Sequence, residues 1–215
     1  MEGGVLQQSP VALFILVITV ATSLIAWQYE DLFRLFALNP WSLVRERRYY
    51  TFLTSGLIHA DVGHLVFNMF TFYCFAFTLE RLIGHWQFLT LYAASLVLSD
   101  ISTVVKQKDN PDYFCVGASG AVTAAIFSFI IFEPTSSIYL MFIPIPIPAP
   151  LFGVAYVAYS YYCARYRPAG SRSFFLQARV NHAAHLWGAV SGLALTLILA
   201  PAAYRGFFQA LHLTS

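Results

Sequence analysis

Six stretches of the chain are almost wholly apolar, at residues 9–28, 62–79, 86–105, 118–132, 138–163 and 182–200. Polar or charged segments separate them, the one after the first stretch being long. A helix needs about 20 apolar residues to cross a hydrocarbon core of roughly 30 Å. The pattern therefore predicts an all-α membrane protein, a single bundle of six transmembrane helices over residues 1–215. Pro144, Pro146, Pro148 and Pro150 fall early in the fifth stretch. Proline lacks an N–H donor and breaks a helix interior. That part is expected to be an extended entry, with the helix proper beginning near Leu151. The fourth stretch is short. About fifteen residues at 1.5 Å each give roughly 22 Å, against a core of roughly 30 Å. One end should stop below a membrane surface, which requires burial in protein or a water-filled cavity. Gly117, Ala118, Ser119 and Gly120 sit at that end.

The loop at 29–58 mixes Phe33, Phe36, Trp41, Tyr49 and Tyr50 with Arg34, Arg45, Arg47 and Arg48. Aromatic and basic residues together suit the headgroup layer. This loop is expected to lie in the interface. Residues 1–8 contain no Lys or Arg, and the apolar stretch after them is longer than a signal peptide's core. It is read as a retained span.

Composition agrees with the pattern. Hydrophobic residues make up 59% of the chain and charged residues 10%, against about 25% charged in a soluble domain. A net charge of +2 gives no reason to expect nucleic acid. Cys74, Cys115 and Cys163 have no paired spacing, so neither a disulfide framework nor a Cys-based metal site is expected.

Polar residues are rare enough in these stretches to be candidates for function. They are His59, His64 and Asn68 around the second stretch, Ser119 at the head of the fourth, and His182 and His185 at the head of the sixth. In an alternating six-helix topology these three stretches run the same way, so their N-terminal ends share one face. Ser119 is flanked by Gly117 and Gly120, and its N–H, at a helix start, has no intrahelical partner. A nucleophilic serine needs a base and oxyanion donors. Gly120 could equally belong to a small-residue packing strip with Ala124. Gly188 and Gly192 would let the sixth helix approach another closely, the fourth being the expected partner. His185, one turn before Gly188, could be that base, a bundle hydrogen-bonder or a proton relay. His64 and Asn68, four apart, share a helix face and can donate to an oxyanion or to another helix. Four histidines could hold zinc, but no HExxH motif is present and no metal or other cofactor is expected.

Taken jointly, three motifs resemble those of the rhomboid intramembrane serine proteases. His59, Ala60, His64 and Asn68 resemble the family's HAxxxHxxxN. Residues 117–120 resemble its GASG, and Ala184, His185, Gly188 and Gly192 its AHxxGxxxG. Glu80, near the end of the second helix, also agrees. The resemblance implies a minimal six-helix core without a seventh helix. It implies Ser119 as nucleophile and His185 as base, with His64, Asn68 and the Ser119 N–H as the oxyanion hole. His59 would support the first loop. Its substrates would be transmembrane proteins met within the bilayer. Two positions depart from the family. Tyr50 and Thr51 stand where many relatives have Trp–Arg, with Arg47 and Arg48 close by. Asn181 stands where Asp is common.

Loops one, three and five carry Arg34, Arg45, Arg47, Arg48, Lys106, Lys108, Arg165, Arg167, Arg172 and Arg179, whereas the other face has Arg81 and Arg205. The positive-inside rule would put the Ser119 face in the cytoplasm. The family's arrangement opens it to the other side, and that is the expectation adopted, in a bacterial inner or plasma membrane. Two other functions fit parts of the pattern. One is an inert rhomboid-like binder of membrane clients, against which Ser119 and His185 both argue. The other is a small proton-coupled transporter, disfavoured because the polar residues gather at one face.

Overall fold

The computed structural model describes residues 8–140, 143–166 and 180–211. Arg167, Arg172 and Arg179 lie outside the described residues. Long helices occupy Pro10–Ala26 (α1), Val62–Ile83 (α5), His85–Gln107 (α6), Ser119–Phe132 (α7), Ala149–Tyr166 (α8) and His182–Leu199 (α9). Between α1 and α5 the first loop folds into short helices at Glu30–Phe36 (α2), Pro40–Arg45 (α3) and Thr51–Thr54 (α4), then a 3₁₀ turn at Ser55–Leu57. Among the described helices, α5, α6 and α9 are long and apolar enough to cross a membrane by length and composition alone, and α1 and α7 are shorter apolar helices. Helix α8 is as long as α9, but Tyr156, Tyr159, Tyr161, Tyr162, Tyr166 and Arg165 dilute its hydropathy.

The proline-rich part of the fifth stretch is extended, as expected, and the extended segment finds a partner strand. Ser137–Leu140 (β1) and Ile143–Pro148 (β2) form an antiparallel hairpin, with Ile138 opposite Ile147 and Leu140 opposite Ile143. Alternating prolines forbid a helix, but a strand has period two. Isoleucines can then supply the ladder donors that Pro144 and Pro146 lack. Helix α8 starts at Ala149, once the alternation ends. A tenth helix, Ala202–Ala210 (α10), follows α9. The expected core had no helix after the sixth. At about 14 Å, α10 is too short to span. It packs against α7 and α9, with the Tyr204 hydroxyl donating to Leu193 O at 2.7 Å.

Helix α7 is the centre of the bundle. It packs against α5, α6, α8, α9 and α10. Nearly every residue from Gly120 to Ile131 is buried. Its 14 residues span roughly 21 Å. Helix α1 is held to α5 by Glu80, which is fully buried. Its carboxylate accepts the Val11 and Ala12 N–H groups at 3.0 and 2.7 Å and contacts His85 Nδ1 at 2.6 Å. These N–H groups lie in the first turn of α1 and have no intrahelical partner, so the acid meets orphan donors and the positive helix end together. Gly84 makes the turn into α6 with φ +91°, a conformation that disfavours other side chains.

The tightest contact is between α7 and α9. A Cβ on Gly188 would strike the Gly120 carbonyl oxygen and lie 3.1 Å from Gly120 Cα. A Cβ on Gly192 would strike the Ala124 carbonyl and lie 2.7 Å from Ala124 Cα. Both obstacles are backbone, which cannot rotate aside. Gly188→Ala should therefore cost about 1–3 kcal/mol through overpacking, roughly 2–4 °C of Tm per kcal/mol in a chain of this size. Gly206 has open space around its Cβ position, so Gly206→Ala should leave Tm unchanged or raise it slightly. Thermal unfolding in detergent measures both. A Gly188→Ala variant as stable as the parent would mean the two backbones do not touch.

Candidate active site

Three helix starts converge. Asp61 caps α5 by accepting the His64 N–H at 2.8 Å. This anchors the first turn, so His64 and Asn68 project from one face. The His64 ring covers Gly117, whose Cβ position would lie 2.8 Å from His64 Nε2. Gly117 has φ +109°, so the turn before Ser119 needs glycine both for its backbone and for the ring above it. Asn68 is buried, and its Nδ2 donates to the His64 carbonyl at 3.1 Å. That bond uses one of two amide hydrogens and leaves the other available. His64 Nδ1 is buried without a hydrogen-bond partner.

His59 is fully buried below this pair. Its ring meets the His64 ring edge-on at 4.9 Å, and Nδ1 lies 3.2 Å from Ser23 Oγ on α1. Trp27 Nε1 donates to the His59 carbonyl at 2.8 Å. The residue therefore ties α1, the end of the first loop and the head of α5 together.

Ser119 opens α7 and is half-buried. Its carbonyl accepts from Thr123 Oγ1 at 2.8 Å, and Thr123 Oγ1 lies 3.2 Å from the Tyr156 hydroxyl on α8. The Tyr156 ring stacks on His185, with centroids 6.2 Å apart and an interplanar angle of 28°. His182 meets His185 edge-on at 6.0 Å. The Gly120 Cβ position lies 3.4 Å from the Ala184 carbonyl, so the residue after Ser119 faces the residue before His185. Among the described residues no hydrogen bond joins the Ser119 hydroxyl to His185. Catalytic hydrogen bonds are often long before substrate binds.

Asn181 caps α9. Its Oδ1 accepts the Ala184 N–H at 3.1 Å, and its Nδ2 donates to Thr103 Oγ1 at 2.9 Å and contacts Cys115 Sγ at 3.6 Å. The amide links the start of α9 to α6 and to the third loop. An aspartate could keep the first bond as acceptor, but at Thr103 the hydroxyl would have to donate instead of accept.

The first loop docks on the third through backbone. Leu38 and Cys115 exchange N–H···O bonds of 3.0 and 2.9 Å, and the Gly117 N–H donates to Ser55 O at 2.9 Å. Asn39 Nδ2 donates to Pro111 O at 2.7 Å, and Arg45 reaches Lys108 O and Asp109. Arg48 pairs with Glu46 instead. Arg45, not the Arg47–Arg48 pair, is the arginine that ties the loop down. Asp61, Thr123, Tyr156 and Ser55 escaped the sequence reading. Asp61 could have been found as an N-cap three residues before His64. Tyr156, one of several tyrosines on α8, carries no local signal. Among the described residues no three His, Cys, Asp or Glu side chains are placed to hold a metal ion.

Comparison with known proteins gives this arrangement a family. Residues 46–202 match the model of the Rhomboid domain. The putative rhomboid protease YdcA of Bacillus subtilis (strain 168) is 39% identical over 79 residues, covering 37% of this chain and 39% of that protein. RHOMBOID-like protein 12, mitochondrial, of Arabidopsis thaliana is 31% identical over 122 residues, covering 50% of this chain and 36% of that protein. Rhomboid protease GluP of Bacillus subtilis (strain 168) is 30% identical over 81 residues, covering 38% of this chain and 15% of that protein. The chain therefore spans well under two thirds of each of these relatives. The domain match, in contrast, takes in most of the chain and all three helices whose starts converge on Ser119, and the chain belongs to the rhomboid family.

Proposed function

We propose that this protein is an intramembrane serine endopeptidase that cleaves transmembrane segments with a Ser119–His185 dyad, inside a bundle in which α1 and α5 to α9 all cross the bilayer. One observation carries the reading. The Gly120–Gly188 contact brings the starts of α7 and α9 together on the side where Tyr156 stacks on His185 and His64 covers Gly117. Relatives named as rhomboid proteases support it.

In this mechanism His185 takes the Ser119 proton as the hydroxyl oxygen attacks the scissile carbonyl. Charge developing on the carbonyl oxygen meets the Ser119 N–H, the free Asn68 amide hydrogen and a His64 ring N–H. His185 then gives its proton to the leaving amine, and a water, activated by the same ring, hydrolyses the acyl-enzyme. A short α7 helps: its N-terminus sits below the membrane surface, where water enters from above. A substrate helix must unwind before its amide can reach Ser119, so helix-breaking residues near the cut favour cleavage.

Three sets of substitutions test these roles in cleavage of a model transmembrane substrate by the purified protein. Ser119→Ala and His185→Ala should each reduce cleavage by roughly 10⁴–10⁶-fold with folding intact. Robust cleavage by Ser119→Ala would end the protease reading. His64→Ala and Asn68→Ala should cost about 10²–10³-fold each, since other oxyanion donors remain. If either were as inactive as Ser119→Ala while still folded, its role would be more than oxyanion binding. Tyr156→Phe keeps the ring over His185 and should stay near parental activity. Tyr156→Ala frees the imidazole and should lose about 100-fold, the effect of a displacement of about 1 Å. Equal losses in the two would place the role in the hydroxyl rather than in the stack.

A further inference from the structure

A cleft of about 130 Å³ lies outside the Ser119 site, lined by Lys106, Tyr161, Ala164, Arg165 and Leu186. Lys106 is in the last turn of α6, Arg165 in the last turn of α8, and Leu186 in the second turn of α9. Helix α9 packs against both α6 and α8, so the cleft sits over α9 between the C-terminal ends of its two neighbours. It opens on the same face of the bundle as Ser119. Leu186 is the residue after His185.

The cleft's charge is one-sided. It holds two cations and no carboxylate. Among the described residues, neither Lys106 nor Arg165 is in an ion pair. Asp109, the nearest acid along the chain after Lys106, is paired with Arg45. Asp100, the nearest before it, is buried and one to two turns away along α6. The sequence from 166 to 181 supplies no Asp or Glu. Two like charges at one opening repel each other unless an anion lies between them, and a guanidinium with an ammonium suits a phosphate. The rest of the lining is apolar or amphipathic: the Leu186 and Ala164 side chains and the Tyr161 ring. Exposed Tyr161, Tyr162 and Tyr166 on the same end of α8 mark the depth of a headgroup layer.

We propose that this cleft binds the phosphate of an anionic phospholipid, with Lys106 and Arg165 on the headgroup and Leu186, Ala164 and the Tyr161 ring against its glycerol and upper acyl chain. Basic pockets between membrane helices are suited to such headgroups. A free phosphate would satisfy the cations but leave the apolar lining unfilled. The bound lipid joins α6 to α8 across α9 and so steadies the helix that carries His185. The inference concerns a lipid site and stands whether or not Ser119 is a nucleophile.

Thermal unfolding of the full chain in vesicles tests it, comparing phosphatidylcholine alone with phosphatidylcholine containing phosphatidylglycerol. The parent protein should melt on the order of 5 °C higher with phosphatidylglycerol present. Lys106→Gln with Arg165→Gln should lose most of that increment while melting like the parent in phosphatidylcholine alone. Lys106→Arg with Arg165→Lys should keep it, as should Lys108→Gln, which removes a nearby charge outside the cleft. Three results would overturn the proposal: the full increment surviving in the double glutamine variant, an equal loss in Lys108→Gln, or an equal fall for the double variant in phosphatidylcholine alone. Inorganic phosphate reproducing the increment in phosphatidylcholine vesicles would overturn the lipid as occupant in favour of a soluble anion.

Discussion

Where Gly188 meets Gly120 there is no room for a methyl group on α9. In a bilayer, helices gain little from hiding apolar side chains from lipid, so close backbone approach and its dispersion energy hold them together. Gly188 and Gly192 extend that approach over a full turn against Gly120 and Ala124. Further along, Thr196 Oγ1 lies 2.8 Å from both Ser128 Oγ and the Gly192 carbonyl oxygen, with one hydrogen to share between them. The two helices are thereby fixed in rotation as well as in distance. With α9 fixed against α7, His185 faces the α8 side, where the Tyr156 ring closes over it.

The other arms of the site depend on the same centre. Helix α7 is buried along most of its length, so whatever touches it is referred to a common frame. Thr123 links its second turn to Tyr156 on α8. Gly117, two residues before Ser119, carries the His64 ring and hangs from Ser55 in the first loop. The loop segment thus acts as a clamp: the Leu38–Cys115 bridge and the Gly117–Ser55 bond hold the approach to Ser119 from outside, while His59 and Glu80 pin α1 to α5 from within. None of these contacts is chemically reactive. Together they set where a half-buried hydroxyl, two ring systems and an amide stand relative to one another.

Much of this was legible in the sequence, for physical reasons that differ by residue. Apolar runs located the long helices, because lipid-facing and core-facing positions are both apolar and leave an uninterrupted signal. Gly188 and Gly192 announced a close contact, and the short run at 118–132 announced a buried helix start. The hairpin was not legible as such. Alternating prolines exclude a helix but do not say whether an extended segment will find a partner strand, and Ser137–Leu140 looked like the start of a span. Helix α10 was missed because nine amphipathic residues resemble a polar tail. Tyr156 was invisible among Tyr159, Tyr161, Tyr162 and Tyr166, since its distinction is only that it faces His185. The anchoring role of Arg45 depends on Asp109 and Lys108, more than sixty residues later, and no local pattern encodes a pairing across that distance.

The central claim is that this packing makes Ser119 a nucleophile with His185 as its base. Covalent labelling by a fluorophosphonate probe in bilayers, with the modified residue located by peptide mass spectrometry, tests it most directly, because it needs no knowledge of the natural substrate. The account predicts labelling confined to Ser119, abolished in His185→Ala and strongly reduced in Gly188→Ala. A folded parent protein that does not label at Ser119, or labelling that persists at the parental rate in His185→Ala, would contradict it.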